Sequence, residues 1–158
     1  WIMAANAKSV YLGTQKAFEV LPDFVTPQNP GSVVNVSSVA GLVGTSFQSA
    51  YSMSKGAVQL FSLAAAREAI DRKLPVRVNT VNPGMVDTDM GGELADELVS
   101  AGLAKNKEHA RMGLVKSYMD NRFSTAEEVA SSICFLLSKH AGHTTGTALR
   151  IDGGMVSG

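Results

Sequence analysis

Ile2, Val10, Ala17 and Leu21 recur at spacings that keep one side of a helix apolar, which predicts a helix over residues 2–21. Asn6 lies on that same stripe. A polar amide on a buried face needs hydrogen-bond partners, so Asn6 is either a structural tie or a site residue. Pro22, Pro27, Asn29, Pro30 and Gly31 then break any regular pattern and predict a loop over 23–31. Val33, Val34 and Val36 form a short β-branched run between Gly31 and Ser37-Ser38, the pattern of a buried strand.

Residues 49–72 predict a long helix rich in small residues, with Ala50, Gly56, Ala57 and Ala64 to Ala66 along it, stopped before Pro75. Val76 to Val81 is a second buried strand, and Asn82-Pro83-Gly84 a sharp turn off its end. Residues 87–122 are polar and helix-prone, interrupted by Gly91-Gly92, Gly102 and Gly113, and resemble a mobile insert. Ser124 to Ser138 reads as an amphipathic helix, with Thr125 as N-cap and Glu128 completing a capping box. A third strand spans Gly146 to Ile151 and closes at Asp152-Gly153-Gly154. Helices alternating with buried strands predict an α/β fold with a parallel sheet, in a single domain over 1–158 without internal repeats.

Chemistry enters at Tyr51-Ser52-Met53-Ser54-Lys55. The tyrosine and lysine are four residues apart near a helix start and project from one face. A phenol ordinarily titrates near pH ~10, too high for ready proton exchange at neutral pH, and a neighbouring ammonium favours the phenolate. Such pairs also arise on solvated helix faces, so context decides. Ser38 lies thirteen residues before Tyr51, at the carboxyl end of the preceding strand, where parallel sheets place their ligands. Its hydroxyl suits a substrate oxygen that gathers charge; alone, it would be read as a turn or N-cap serine. Pro83 and Gly84 at the end of the next strand permit close backbone approach to a flat ligand, and Thr88 suits an amide.

Asn6 within Asn6-Ala7-Lys8-Ser9-Val10-Tyr11-Leu12-Gly13, the Val34-Asn35-Val36-Ser37-Ser38 strand, Tyr51-x-x-x-Lys55, Pro83-Gly84 and Asp152-Gly153-Gly154 follow one another in an order and spacing that resembles the short-chain dehydrogenase/reductase superfamily over essentially the whole chain. The resemblance implies a Rossmann-type, doubly wound parallel sheet. It implies NAD or NADP as cofactor and hydride transfer between nicotinamide and the carbon of a secondary alcohol or ketone. Tyr51 would be the acid/base. Lys55 would lower its pKa and hold the nicotinamide ribose. Ser38 would position the reacting oxygen and Asn6 a relay water. Pro83, Gly84, Val86 and Thr88 would line the nicotinamide side, with Met85 and Met90 as possible substrate contacts and 87–122 as the substrate lid. Hydroxysteroids, 3-oxoacyl thioesters, cyclic ketones and simple secondary alcohols all fit this chemistry. A homodimer or homotetramer is implied, since the helices corresponding to the small-residue faces pair between subunits in this family.

The chain departs from the family at its beginning. No glycine-rich phosphate-binding turn and no residue separating NAD from NADP precedes Asn6, and the first residue is Trp1. At ~30 residues per βαβ unit, about 90 residues of the family pattern are missing, so the chain reads as the carboxyl-terminal portion of the fold, expected to be inactive alone. The alternatives are a non-catalytic fragment or assembly module, and an epimerase or dehydratase of the same superfamily. Composition narrows the rest. With 45% hydrophobic and 18% charged residues the chain is globular rather than disordered. Fourteen basic against fourteen acidic residues give no basic excess for nucleic acid or an anionic membrane. No apolar run reaches the ~20 residues of a membrane span, no export signal is visible, and the single cysteine fits a cytoplasmic location. Cys134 is expected to be a small core residue, His109 to be solvated, and His140 with His143 makes no metal site without cysteine or acidic company.

Overall fold

The computed structural model describes residues 1–157, with Met90 and Gly91 described by their backbone alone. The first helix begins at Ile2 and widens to a π-helical segment over Ala4–Lys8 before continuing as α1 (Ser9–Val20). Strand β1 (Gly31–Val36), helix α2 (Ser49–Asp71), strand β2 (Val76–Pro83), helices α3 (Asp89–Ser100), α4 (Lys107–Val115) and α5 (Ala126–Leu137), and strand β3 (Ala148–Ile151) follow. The strands form one parallel sheet in the order β1-β2-β3. Strand β2 runs two residues beyond the span expected from its valines, because Asn82 and Pro83 pair with Arg150 and Ile151 of β3.

Alternation along the strands divides the core into two layers. On one face, Val33, Val76 and Val78 meet Phe18 of α1 and Phe61, Ala65, Ala66 and Ala69 of α2. On the other, Val34, Val81, Leu149 and Ile151 meet Ile133 and Leu136 of α5. The two crossovers therefore pass over opposite faces, and the sheet is doubly wound as expected. Ala65, Ala66 and Ala69 of α2 are buried against the sheet, which corrects the expectation that the small residues at Ala64 to Ala66 face another subunit.

The buried polar groups are tied across these layers. Asn35 donates to Ser62 of α2 (2.9 Å) and Thr14 of α1 (3.3 Å). Arg77, only 6% exposed, donates to the carbonyls of Leu136, Thr144 and Ser138 at the end of α5 and just beyond it. Thr125 and Glu128 form the expected capping box at the start of α5. Cys134 corrects an expectation, since it is exposed. Leu136 is the fully buried residue of α5, and Phe135 and Leu137 on either side of it are exposed. Among the described residues, no helix is long and apolar enough to cross a membrane, and no group of three His, Cys, Asp or Glu side chains is placed to hold a metal ion.

Candidate active site

All three parallel strands deliver their carboxyl ends to the same edge of the sheet, where Ser38 meets Pro83 and Lys55 reaches the end of β1 through the Val36 carbonyl. Directly after β1, Ser38 caps the 3₁₀ turn Val39–Gly41, its Oγ accepting the Ala40 N–H at 3.2 Å. The same hydroxyl donates to the Pro83 carbonyl over a long 3.5 Å, and the Ser38 carbonyl accepts the Asn82 side-chain amide at 3.1 Å. Ser38 therefore does fill the N-cap role, but in a position braced against the end of β2.

Tyr51 and Lys55 occupy the first turns of α2. The Lys55 ammonium lies 5.6 Å from the Tyr51 ring centroid and donates to the Val36 carbonyl at 3.0 Å. Partial burial pushes the Lys55 ammonium below its ordinary pKa. Ser37, 2% exposed, donates through Oγ to the Lys55 carbonyl at 2.8 Å. Gly41 packs so tightly on this turn that a Cβ would stand 2.6 Å from the Lys55 carbonyl carbon. The turn carrying Ser38 is thus clamped to the helical turn carrying Lys55. Among the described residues no hydrogen bond joins the Tyr51 hydroxyl to Ser38.

Asn6 sits inside the π-helical segment. Its amide nitrogen donates to Ser54 Oγ at 3.0 Å, and Ser54 Oγ donates to the Tyr51 carbonyl at 2.7 Å. Asn6 is therefore linked to the Tyr51–Lys55 turn through Ser54, a fully buried serine. The expectation of an ordinary α-helix here is corrected. A π segment adds a residue to the turn, a device frequent at functional sites.

After β2, the Gly84 N–H donates to the Ile151 carbonyl (3.0 Å), and Val86 forms an isolated parallel bridge with Ser124. The Thr88 hydroxyl approaches the Val86 carbonyl at 3.5 Å. Thr88, Asp87, Glu93, Lys107 and Arg111 line an open cleft of about 590 Å³ between this loop and the α3–α4 segment, with Arg111 and Asp87 paired at 2.9 Å. Neither Tyr51, Lys55 nor Ser38 lines that cleft. Met85 joins the site through its backbone, and the Met90 side chain lies outside the described residues.

No role was expected from the sequence for Ser37, Ser54 or Tyr118, and Asn82 was expected only in the turn at the end of β2. The available signal was a polar residue inside an apolar run, which marks Asn82 but not a serine on a small-residue helix.

A family model described as enoyl-(acyl carrier protein) reductase matches residues 1–156. Cyclopentanol dehydrogenase of Comamonas testosteroni is 35% identical over 153 residues, covering 97% of this chain and 55% of that protein. The crystal structure of levodione reductase superposes with a TM-score of 0.82 at 28% identity, over 96% of this chain and 55% of that one. The structure titled ElxO with NADP bound superposes at 0.77 and 26% identity, over 97% of this chain and 56% of that one. The chain spans about half the length of the curated relatives it matches.

Proposed function

We propose, for a chain that belongs to the short-chain dehydrogenase/reductase superfamily, that it carries the reaction centre of an NAD(P)-dependent oxidoreductase interconverting a secondary alcohol and a ketone, with Tyr51 as acid/base. The observation that carries this reading is the clamp between the Ser38 turn and the Tyr51–Lys55 turn at the carboxyl ends of β1 and β2.

The residues present fit the nicotinamide half of the cofactor. An ammonium has three N–H donors, and Lys55 spends one on Val36, leaving donors for ribose hydroxyls. Gly84 and the end of β2 offer a backbone edge for a flat ring, with Pro83, Val86 and Thr88 beside it. When bound against these residues, a nicotinamide would supply the hydride-transfer chemistry. In reduction, Tyr51 Oη gives its proton to the substrate oxygen as the alkoxide forms, and the Lys55 ammonium supports the phenolate left behind. In oxidation, the phenolate takes the hydroxyl proton back. Ser38 Oγ, held by the Ala40 N–H, turns its single O–H from the long 3.5 Å contact with the Pro83 carbonyl to the same substrate oxygen. Asn6, its amide nitrogen committed to Ser54, presents its amide oxygen to a relay water.

The 87–122 segment is the proposed substrate lid. A small cyclic or secondary alcohol is the proposed substrate class, in line with the name of the cyclopentanol-oxidising relative. Tyr11 and Leu12 of α1 and Leu60 and Leu63 of α2 are exposed, which supports a homodimer or homotetramer formed on these helices. The test of the function is Tyr51→Phe in the full-length gene product, assayed with cyclopentanol and cyclopentanone. Turnover should fall by ~10²–10⁴ with cofactor affinity retained. Turnover near that of the parent would remove Tyr51 from the chemistry.

A further inference from the structure

Beneath the turn that follows β2 lies a tyrosine that the proposed reaction does not use. Tyr118 stands three residues beyond α4, where its N–H donates to the Val115 carbonyl at 3.0 Å, and it is 4% exposed. Its hydroxyl accepts the Met85 N–H at 2.8 Å. A Cβ on Gly84 would stand 2.9 Å from that hydroxyl and 3.0 Å from the ring's Cε1, so the glycine lets the ring lie directly against the turn. A Cβ on Gly153 would likewise stand 3.2 Å from the ring's Cδ1, and the next residue along, Met119, donates its N–H to the Gly153 carbonyl at 2.8 Å. The edge of the ring meets Phe123 at 5.9 Å between centroids. One side chain thus touches the loop after β2, the turn after β3 and the end of the α3–α4 segment.

We propose that Tyr118 is a positioning residue, which fixes the Pro83–Met85 turn at the height the nicotinamide ring requires and so couples the α3–α4 segment to cofactor binding. The inference rests on the reading of Pro83 and Gly84 as nicotinamide-facing. Its physical content is one hydrogen bond in a crowded place. The Met85 N–H points inward, and a backbone N–H without a partner there is costly enough to reshape the turn. The phenol is suited to the task. Burial lifts it above its ordinary pKa, so it stays a neutral hydroxyl across the working range. Tyr118 acts through the backbone of Gly84 and Met85, and its effect is confined to ligands that reach the turn.

That confinement gives the test. Tyr118→Phe in the full-length gene product keeps the ring and deletes the acceptor. Two probes are titrated calorimetrically: the reduced dinucleotide that the parent protein prefers, and ADP-ribose or its 2′-phosphate, which lacks nicotinamide. Dinucleotide affinity should fall about tenfold, the fold-change of one lost hydrogen bond, while ADP-ribose affinity stays within about twofold. Amide hydrogen exchange should accelerate at Met85 and stay unchanged at Val78 and Val81 of β2. Unchanged dinucleotide affinity, or an equal fall for both probes, would overturn the proposal. A parent protein that binds ADP-ribose as tightly as the dinucleotide would overturn the nicotinamide-facing reading, and the inference with it. Accelerated exchange at Met85 would then show that the turn is pinned by Tyr118 and that the cofactor assignment is what failed.

Discussion

Replacing Gly41 by alanine adds a single methyl group at the junction of the two turns that carry the proposed chemistry. The added carbon would lie 2.6 Å from the Lys55 carbonyl carbon, 2.7 Å from its oxygen and 2.8 Å from Ser37 Oγ, where ordinary contact begins at 3.4 Å. Two of the three obstacles are helical backbone, which has no rotamer to change. The turn of Val39–Gly41 must therefore lift from α2 by about 0.8 Å. That lift stretches the Ser37–Lys55 hydrogen bond and carries Ser38 away from Tyr51. Misplacing a reacting group by ~1 Å costs about 10²-fold in rate, so kcat should fall ~10–100-fold. Overpacking should also lower stability by ~1–3 kcal/mol. The assay is kcat at saturating cofactor in the full-length gene product, with urea midpoints measured alongside. Gly44→Ala is the matched control, because nothing lies within 4 Å of a Cβ there. A Gly41→Ala enzyme within twofold of parental kcat would refute the clamp. If that variant does not fold, Ser37→Ala removes the tie without the clash and should still lower kcat several-fold.

Arg77→Met should cost only about 1–2 kcal/mol, because each carbonyl that Arg77 contacts keeps another donor: Ser32 at Leu136, Asn79 at Thr144 and the Ala141 N–H at Ser138. At roughly 2–4 °C per kcal/mol for a chain of this size, calorimetry should find Tm lowered by a few degrees, and a loss above ~4 kcal/mol would show that those second donors do not suffice. Glu128 is held down to about 2 by Arg122 and by the Thr125 N–H. Its folded pKa is depressed, so its stabilisation is full above the ordinary glutamate value of 4.5 and is lost as pH falls through about 2. The gap in urea midpoint between parent and Glu128→Gln should accordingly be constant from pH ~5 to ~7 and close towards pH ~2; a gap that persists there would assign the effect to shape rather than charge.

The order of elements was legible because burial on one side of a helix or both sides of a strand leaves a period in the sequence. The capping box of Thr125 and Glu128 was legible for a stronger reason: its spacing is its geometry. Other features had no such trace. Five residues are too few for a hydrophobic period to separate a π turn from an α turn, so the widening at Ala4–Lys8 was hidden. The extension of β2 through Pro83 depends on pairing with β3, sixty-odd residues away. Cys134 was misassigned because Ile133, Cys134, Phe135, Leu136 and Leu137 are consecutive apolar residues. A helix turns by about 100° per residue, so such a run covers every side and does not declare which side is buried.

The proposed reacting residues were visible for a different reason from the residues that hold them. Proton transfer restricts side-chain type, so a tyrosine and a lysine at helical spacing carry information. Bracing a loop requires only a donor near some backbone carbonyl, and almost any polar residue qualifies. Strand β2 shows the consequence. Read by its valines it is an apolar strand, yet Arg77, Asn79, Thr80 and Asn82 are all buried in it. Arg77 bonds carbonyls at and beyond the end of α5, and Asn79 donates to the Thr144 carbonyl (2.9 Å) and accepts the Thr147 N–H (3.0 Å). Thr80 donates to Gln59 of α2 (2.9 Å), and Asn82 to the Ser38 carbonyl. The central strand thereby fixes α5, the approach to β3, the helix carrying Tyr51 and the Ser38 turn relative to one another. Apolar packing alone would leave each of these segments free to slide by the fraction of an ångström that proton transfer cannot tolerate. Directional bonds from one buried strand remove that freedom, which is why an eight-residue strand at the centre of the sheet carries four polar side chains.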